Sequence, residues 1–261
     1  YLTFDTQSDE EILMKMGVSF KSVDQAKTWL EGEIPDWDYD AVKAETEDQW
    51  NEELNKIVID GDVSDEEKQI FYTSIYHAHL MPRDRTGDIA KYGDADMMDD
   101  HFATWDTWRT LYPLYTITNP DLVAKTVNSY ITRQKVNGYV RDSIVGGNDM
   151  IGQQGGDDID NVIVDAYVKG IEGVDWSEAY EVIQKNATDY RLDYQGWNIA
   201  NPGDSNYKSL GWIPSDDTIT RIMSCSYQLE YAYNDYLAAQ MAKGFGDTEN
   251  YEKWLERSNS W

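Results

Sequence analysis

Two rhythms of apolar and polar residues run along the chain. Between Ile12 and Phe20 ("ILMKMGVSF") strand-like residues gather around Gly17, without clean alternation and without helix caps. The stretch predicts a short strand or two. From Ser22 onward the rhythm turns helical. "SVDQAKTWLEGE" opens with a serine cap and stops near Gly32 and Pro35, the usual punctuation of a helix. Asp38 to Leu54 sets Val42, Trp50 and Leu54 on a helical period, and Ser64 and Glu67 stand at capping-box spacing ahead of Ile70, Phe71, Ser74 and Ala78. Further helices are predicted from His101 to about Thr116, Pro120 to about Lys135, Asp157 to Lys169, Asp175 to Arg191, Asp216 to Lys243 and Thr248 to Ser258.

Two long segments interrupt this series, Met81 to Asp100 and Arg141 to Asp157, both rich in Gly and Asp. Loops of such length inside a compact domain are usually functional or disordered. A short β segment followed by roughly nine helices, without βαβ alternation, predicts a mainly α architecture. Successive helical hairpins suit either a solenoid or a toroid. The chain stops at "ERSNSW" directly after a helix, which reads as an unfinished domain.

Composition narrows the partners. Lys and Arg number 22 against 49 Asp and Glu, a formal net charge of −27, which excludes nucleic acid and anionic lipid as partners. Most of that charge reads as a solvated acidic surface. A lone cysteine, Cys225, leaves no internal disulfide and no cysteine-based zinc site, and three histidines (His77, His79, His101) leave little for a histidine-rich metal centre. No apolar run approaches the ~18 residues of a membrane span. The chain begins at Tyr1, so the lack of a targeting segment says nothing of location.

Three constellations carry the candidate chemistry. In "HFATWDTWRTLYPLYTITNP" the helix beginning near His101 is apolar almost all round, yet keeps Asp106 and Arg109 three residues apart. A helix apolar on every side is buried on every side, so the two are either a buried ion pair or polar groups facing a cavity. Spacing leaves both open. In "MIGQQGGDDIDNVIVDAYVKG", Asp157 or Asp158 can cap the following helix, while Asp158, Asn161 and Asp165 share one face opposite Ile159, Val162, Ile163 and Ala166. The ligand spacing of an EF-hand and the Lys-Ser/Thr of a phosphate loop are both missing there. In "MSCSYQLEYAYNDYLAAQMAKGFG" a core stripe of Cys225, Leu229, Ala232, Tyr236 and Ala239 leaves Glu230 and Asp235 off it. No Gly-x-Ser-x-Gly, His-Glu-x-x-His or Cys/His pair occurs.

Together with "GVSFKSVDQAKTWLEGEIPDWDYDAV", "IFYTSIYHAHLMP" and "LERSNSW", these blocks resemble, in order, glycoside hydrolase family 92, the calcium-dependent exo-acting α-mannosidases. The resemblance covers nearly the whole chain. It implies an N-terminal β-sandwich followed by an (α/α)6 toroid: residues 1–20 the tail of the sandwich, 21–63 linker helices and 64–261 an incomplete toroid. It implies an inverting mechanism with a carboxylic acid and a carboxylate base on opposite sides of the sugar. It also implies calcium bound to the mannose hydroxyls.

The family's acid motif (Glu-Gly-Asn-x-x-x-Tyr) and base motif (Gly-Asn-Asp-Asp) are not found; "GGNDM" and "GGDDID" match poorly and in the wrong order. No catalytic residue is therefore assigned within the chain, the metal ligands stay unknown, and the segment alone is expected to be inactive. Trp105, Asp106 and Arg109 match positions that face the non-reducing mannose. Asp157, Asp158 and Asp165 are weaker substrate-binding candidates, because "QQGGDDID" replaces a shorter, His-containing stretch. The expected partners are mannose-containing glycans and other segments of the same protein, in a secreted, periplasmic or cell-surface setting. A non-catalytic carbohydrate-binding domain and a helical solenoid for protein contacts stand as the alternatives.

Overall fold

The computed structural model describes residues 1, 3–149, 156–189, 204–215 and 223–261. The predicted helix starts and ends at Asp216 and Arg191 fall outside these, as does 150–155 of the second Gly-rich loop. The chain forms two compact units, Tyr1–Asp62 and Val63–Trp261.

In the first unit, α1 (Val23–Glu33) and α2 (Tyr39–Leu54) start where their caps predict. The Ser22 hydroxyl accepts from the Gln25 N–H and the Asp38 carboxylate from that of Ala41. The strand expected between Ile12 and Phe20 is absent. The segment instead lies against α1: a Cβ on Gly17 would stand 2.4 Å from the Ala26 carbonyl oxygen and 2.9 Å from Leu30 Cβ. Lys15 Nζ donates to the carbonyl of Ile34 at 2.7 Å and sits over the Trp37 ring. It is Gly17 that makes this close approach, while the apolar residues around it, Met14, Met16, Val18 and Phe20, are exposed; a strand-like composition does not reveal that.

The second unit is mainly helical. It opens with α3 (Asp65–Ala78), whose capping box joins Ser64 and Glu67 in both directions. β1 (Arg83–Asp84) and β2 (Met98–Asp99) then pair antiparallel, so the first long loop is an ordered layer with Asp88, Met97, Met98 and Asp99 buried. α4 (Thr104–Thr118) and α5 (Pro120–Asn137) follow, the latter ending at left-handed Gly138. A tight hairpin, β3 (Ile144–Val145) and β4 (Asn148–Asp149), precedes α6 (Asp158–Val168) and α7 (Trp176–Thr188). α8 (Asp204–Leu210), α9 (Ser224–Phe245) and α10 (Thr248–Arg257) complete the order.

α4, α6 and α9 lie side by side in one layer, with α5 resting on α4 and α6, α7 on α6 and α9, and α10 on α9. Tyr115, Val127, Tyr130, Ile163, Ile183 and Trp254, all fully buried, belong to the continuous core between the layers. Burying such side chains is worth about 1.5–3 kcal/mol each, and this core is what fixes the heads of α4 and α6.

Three expectations about faces need correction. α4 is not buried all round: Asp106, Arg109, Thr110 and Ile117 are exposed, and Thr104, Tyr112 and Tyr115 form the buried side. On α9, Cys225, Leu229 and Tyr236 are exposed, while Ala232 and Ala239 are buried beside Tyr227, Tyr231, Ala238 and Met241. Apolar residues surround that helix, so their period does not set its phase. Its buried polar residues do, Asn234 bonding α6 and Asp235 bonding Arg257 of α10 and Tyr207 of α8. On α6, finally, Asp158 and Asn161 are as buried as Ile159 and Val162; the supposed wet face is packed against α9.

Candidate functional site

The head of α4 is held from below by the β3–β4 hairpin. Thr104 donates through both its N–H (2.8 Å) and its Oγ1 (3.0 Å) to the Asp142 carbonyl. Phe102 and Ile144 exchange backbone hydrogen bonds of 3.1 Å each way. Asp100 and Phe102 adopt positive φ (56° and 55°), so the predicted start at His101 moves to Thr104. His101 is buried between them, its Nδ1 2.6 Å from the Tyr112 hydroxyl and its Nε2 3.1 Å from the Met98 carbonyl. Burial and then the Arg133 charge push its pKa down to about 3. It is a neutral anchor.

On this fixed head Trp105 and Arg109 come together, and the expected Asp106–Arg109 pair does not form. Arg109 Nη2 donates to Glu230 Oε1 of α9 at 2.5 Å, across 121 residues of sequence. Its guanidinium lies 4.9 Å from the Trp105 ring centre and 4.5 Å from that of Trp108, within cation–π range. Trp108 stacks in turn on Tyr233 of α9, 5.3 Å between centres. Asp106 is exposed and has no hydrogen bond or ion pair among the described residues. Pro113 has no N–H to give to the Arg109 carbonyl four residues back.

The head of α6 closes the other side. Asp157 stands at the N-cap yet makes no side-chain cap bond. Asn234 of α9 does the tethering instead, accepting from the Asp157 N–H at 2.8 Å and donating to the Asp157 carbonyl and to Asn161 Oδ1. Gly156 permits that approach, since a Cβ there would fall 2.2 Å from Asn234 Oδ1. Asp158 is fully buried; its Oδ1 accepts from Asn161 Nδ2 at 3.2 Å, and its Oδ2 has no partner. Burial first, then the carboxylates of Asp142 and Glu230, push its pKa up to about 8, against the pull of Arg109. Asp158 is thus a proton-bearing carboxyl at neutral pH, within electrostatic reach of Arg109. Asp165 lies two turns further along α6, paired with Lys169 at 2.7 Å, and is not part of this group.

The indole nitrogens of Trp105 and Trp108 also lack hydrogen-bond partners although buried. Buried polar atoms are nearly always satisfied, and each exception asks for an explanation. Trp254 Nε1, deep in the core, is another, so an orphan alone marks no site. Three of them lie around one arginine, itself on the helix that also carries the unpaired Asp106 carboxylate. Glu230, Asp142 and Trp108 belong to this group and were not singled out from sequence for this site. The available signal is that Glu230, like Asp235, stands off the apolar stripe of its helix.

Among the described residues no group of three or more His, Cys, Asp or Glu side chains could hold a metal ion. The residues present do not by themselves form a calcium site.

The described second unit is a two-layered helical unit, and a fold of that kind hosts many functions. Residues 25–261 match the glycosyl hydrolase family 92 catalytic domain, and the chain belongs to that family. It is 30% identical over its whole length to a secreted glycosidase of Arthroderma benhamiae, itself uncharacterised, and spans 31% of that protein. It is similar to a family GH92 α-mannosidase from Bacteroides thetaiotaomicron in complex with mannoimidazole: 26% identity, TM-score 0.77, covering 92% of this chain and 31% of that one. An inverting mannosidase of the same family and organism shares the fold with TM-score 0.78 at 24% identity, over 93% of this chain and 33% of its own. The chain thus spans about a third of the relatives it matches.

Proposed function

We propose that this chain is part of an exo-acting, inverting α-mannosidase, secreted, periplasmic or on the cell surface, that trims mannose, α-1,2-linked mannose first, from glycans. Residues 64–261 then form part of an (α/α)6 toroid whose inner wall is the layer of α4, α6 and α9. The observation that carries the reading is the unpaired, exposed Asp106 carboxylate beside a guanidinium that is already engaged by Glu230. A free carboxylate next to two tryptophans accepts hydrogen bonds from sugar hydroxyls while the indoles shape the wall. Arg109 supplies fixed positive charge, and the protonated Asp158 supplies a donor from behind.

None of these residues is assigned the acid or base role; those two carboxyls belong to segments outside the chain. Calcium, when bound, would hold mannose hydroxyls and favour ring distortion, with most of its ligands from outside this chain. Among those residues no helix is long and apolar enough to cross a membrane.

The test is hydrolysis of α-1,2-mannobiose by the full-length protein, followed by NMR in the first minutes. Inversion predicts β-mannose as the initial product. Release of α-mannose, or no release with calcium present, overturns the reading.

A further inference from the structure

Asp106 and Arg109 stand at i and i+3 on one helix, a spacing at which opposite charges ordinarily meet. They do not meet, because a second carboxylate takes the guanidinium. Glu230 is only 14% exposed at its side chain and Arg109 38%, so their pair is less screened than one formed with the exposed Asp106. Glu230 is also rigidly placed. Asn234, one turn further along α9, is tied by three hydrogen bonds to Asp157 and Asn161 at the head of α6. The indoles of Trp105 and Trp108 hold the guanidinium where Glu230 can reach it. Two carboxylates compete for one cation, and the winner determines which is left free.

We infer that Glu230 is a positioning residue: by holding Arg109 between the two tryptophans, it keeps the guanidinium off Asp106 and leaves that carboxylate open to a sugar hydroxyl. The inference rests on the proposed role of Asp106. Without the Glu230 charge, Arg109 turns back to its i−3 neighbour and occupies the binding carboxylate itself.

The experiment compares Glu230→Gln, Asp106→Ala and the double variant in the full-length protein, with a crystal structure of Glu230→Gln. Glu230→Met repeats the comparison should the amide misfold. Glu230→Gln is expected to raise KM for an α-mannoside on the order of tenfold, the worth of one charge-assisted hydrogen bond, with kcat changed less. In the structure the guanidinium should lie within 4 Å of Asp106, the ordinary limit of an ion pair. The double variant should match Asp106→Ala, because Glu230 acts through that residue. Additive effects, or a guanidinium still held at residue 230 away from Asp106, overturn the inference. If the guanidinium moves onto Asp106 and no variant changes KM, Glu230 does hold Arg109 but Asp106 binds no sugar, and the underlying functional reading falls instead.

Discussion

Two arginines in the second unit show how differently one residue type is used. Arg133 of α5 is wholly buried. Its Nη1 donates to Asp149 Oδ1 (2.9 Å) and to the Tyr92 hydroxyl, and its Nη2 to Asp99 Oδ1 (2.8 Å). Those partners are themselves held: Asn137 donates to Asp149, and the Gly147 N–H donates to Asp99. Arg109 has one carboxylate, two indole faces and an open side. Arg133 joins α5 to both short hairpins and so fixes the base on which α4 begins. Arg109 links α4 to α9 through one partly exposed pair, and in the proposed function it lies on the sugar-binding wall. A buried, many-partnered arginine holds the scaffold, whereas a half-open arginine with one carboxylate partner is the one we propose to face the ligand.

The largest effect should come from Arg133. Arg133→Met leaves Asp99 and Asp149 buried without their cation, which costs about 3–5 kcal/mol. Urea denaturation should show it, as lost stability or as failure to fold. A variant as stable as the parent would erase the contrast between the arginines.

Asp158 gives the next effect, seen in pH rather than in mutation alone. Its folded pKa of about 8 lies above the ordinary value of 3.8, so between those limits the folded state holds a proton that the unfolded state has released. Its contribution to stability is therefore complete in acid and is lost as pH rises toward 8. From pH 5 to pH 7 the loss is on the order of 3 kcal/mol. Asp158→Asn should flatten that slope in denaturation measured at several pH values; an unchanged slope would remove the proton from the site.

Arg109→Met sharpens the comparison from the other side. Its pair is partly exposed, so stability should fall by no more than about 1 kcal/mol, while KM for mannosides rises. A loss as large as that of Arg133→Met would make Arg109 scaffold too. Smallest of all, Lys125→Ala breaks a 2.9 Å pair with Asp84 in which both side chains are about half exposed. It should shift stability by less than about 0.5 kcal/mol.

The helix starts were the readable part of the sequence. Ser22, Ser64 with Glu67, and Asp175 each accept the backbone N–H groups that their local spacing predicts, because capping is settled within four residues. The order of the helices followed from such signals, and so did the presence of Trp105, Asp106 and Arg109 on one helix. What could not be read depends on distant partners. Spacing left open whether Arg109 pairs with its i−3 neighbour, and Glu230 of α9 decides it. Asp157 looked like a cap until Asn234, 77 residues away, took over the tether. Arg133 reads as an ordinary residue near the end of an amphipathic helix, and nothing local announces that two aspartates from separate hairpins will bury it. The exposed face of α9 was misjudged for the same reason: when both sides of a helix are apolar, its polar contacts decide which side turns inward.

The most direct test of the site is Asp106→Ala in the full-length protein, with kcat/KM for mannose release and melting temperature measured on one preparation. An exposed carboxylate that binds a sugar predicts at least about a tenfold fall in kcat/KM with the melting temperature unchanged. Normal activity in the folded variant, with or without a lower melting temperature, would contradict it.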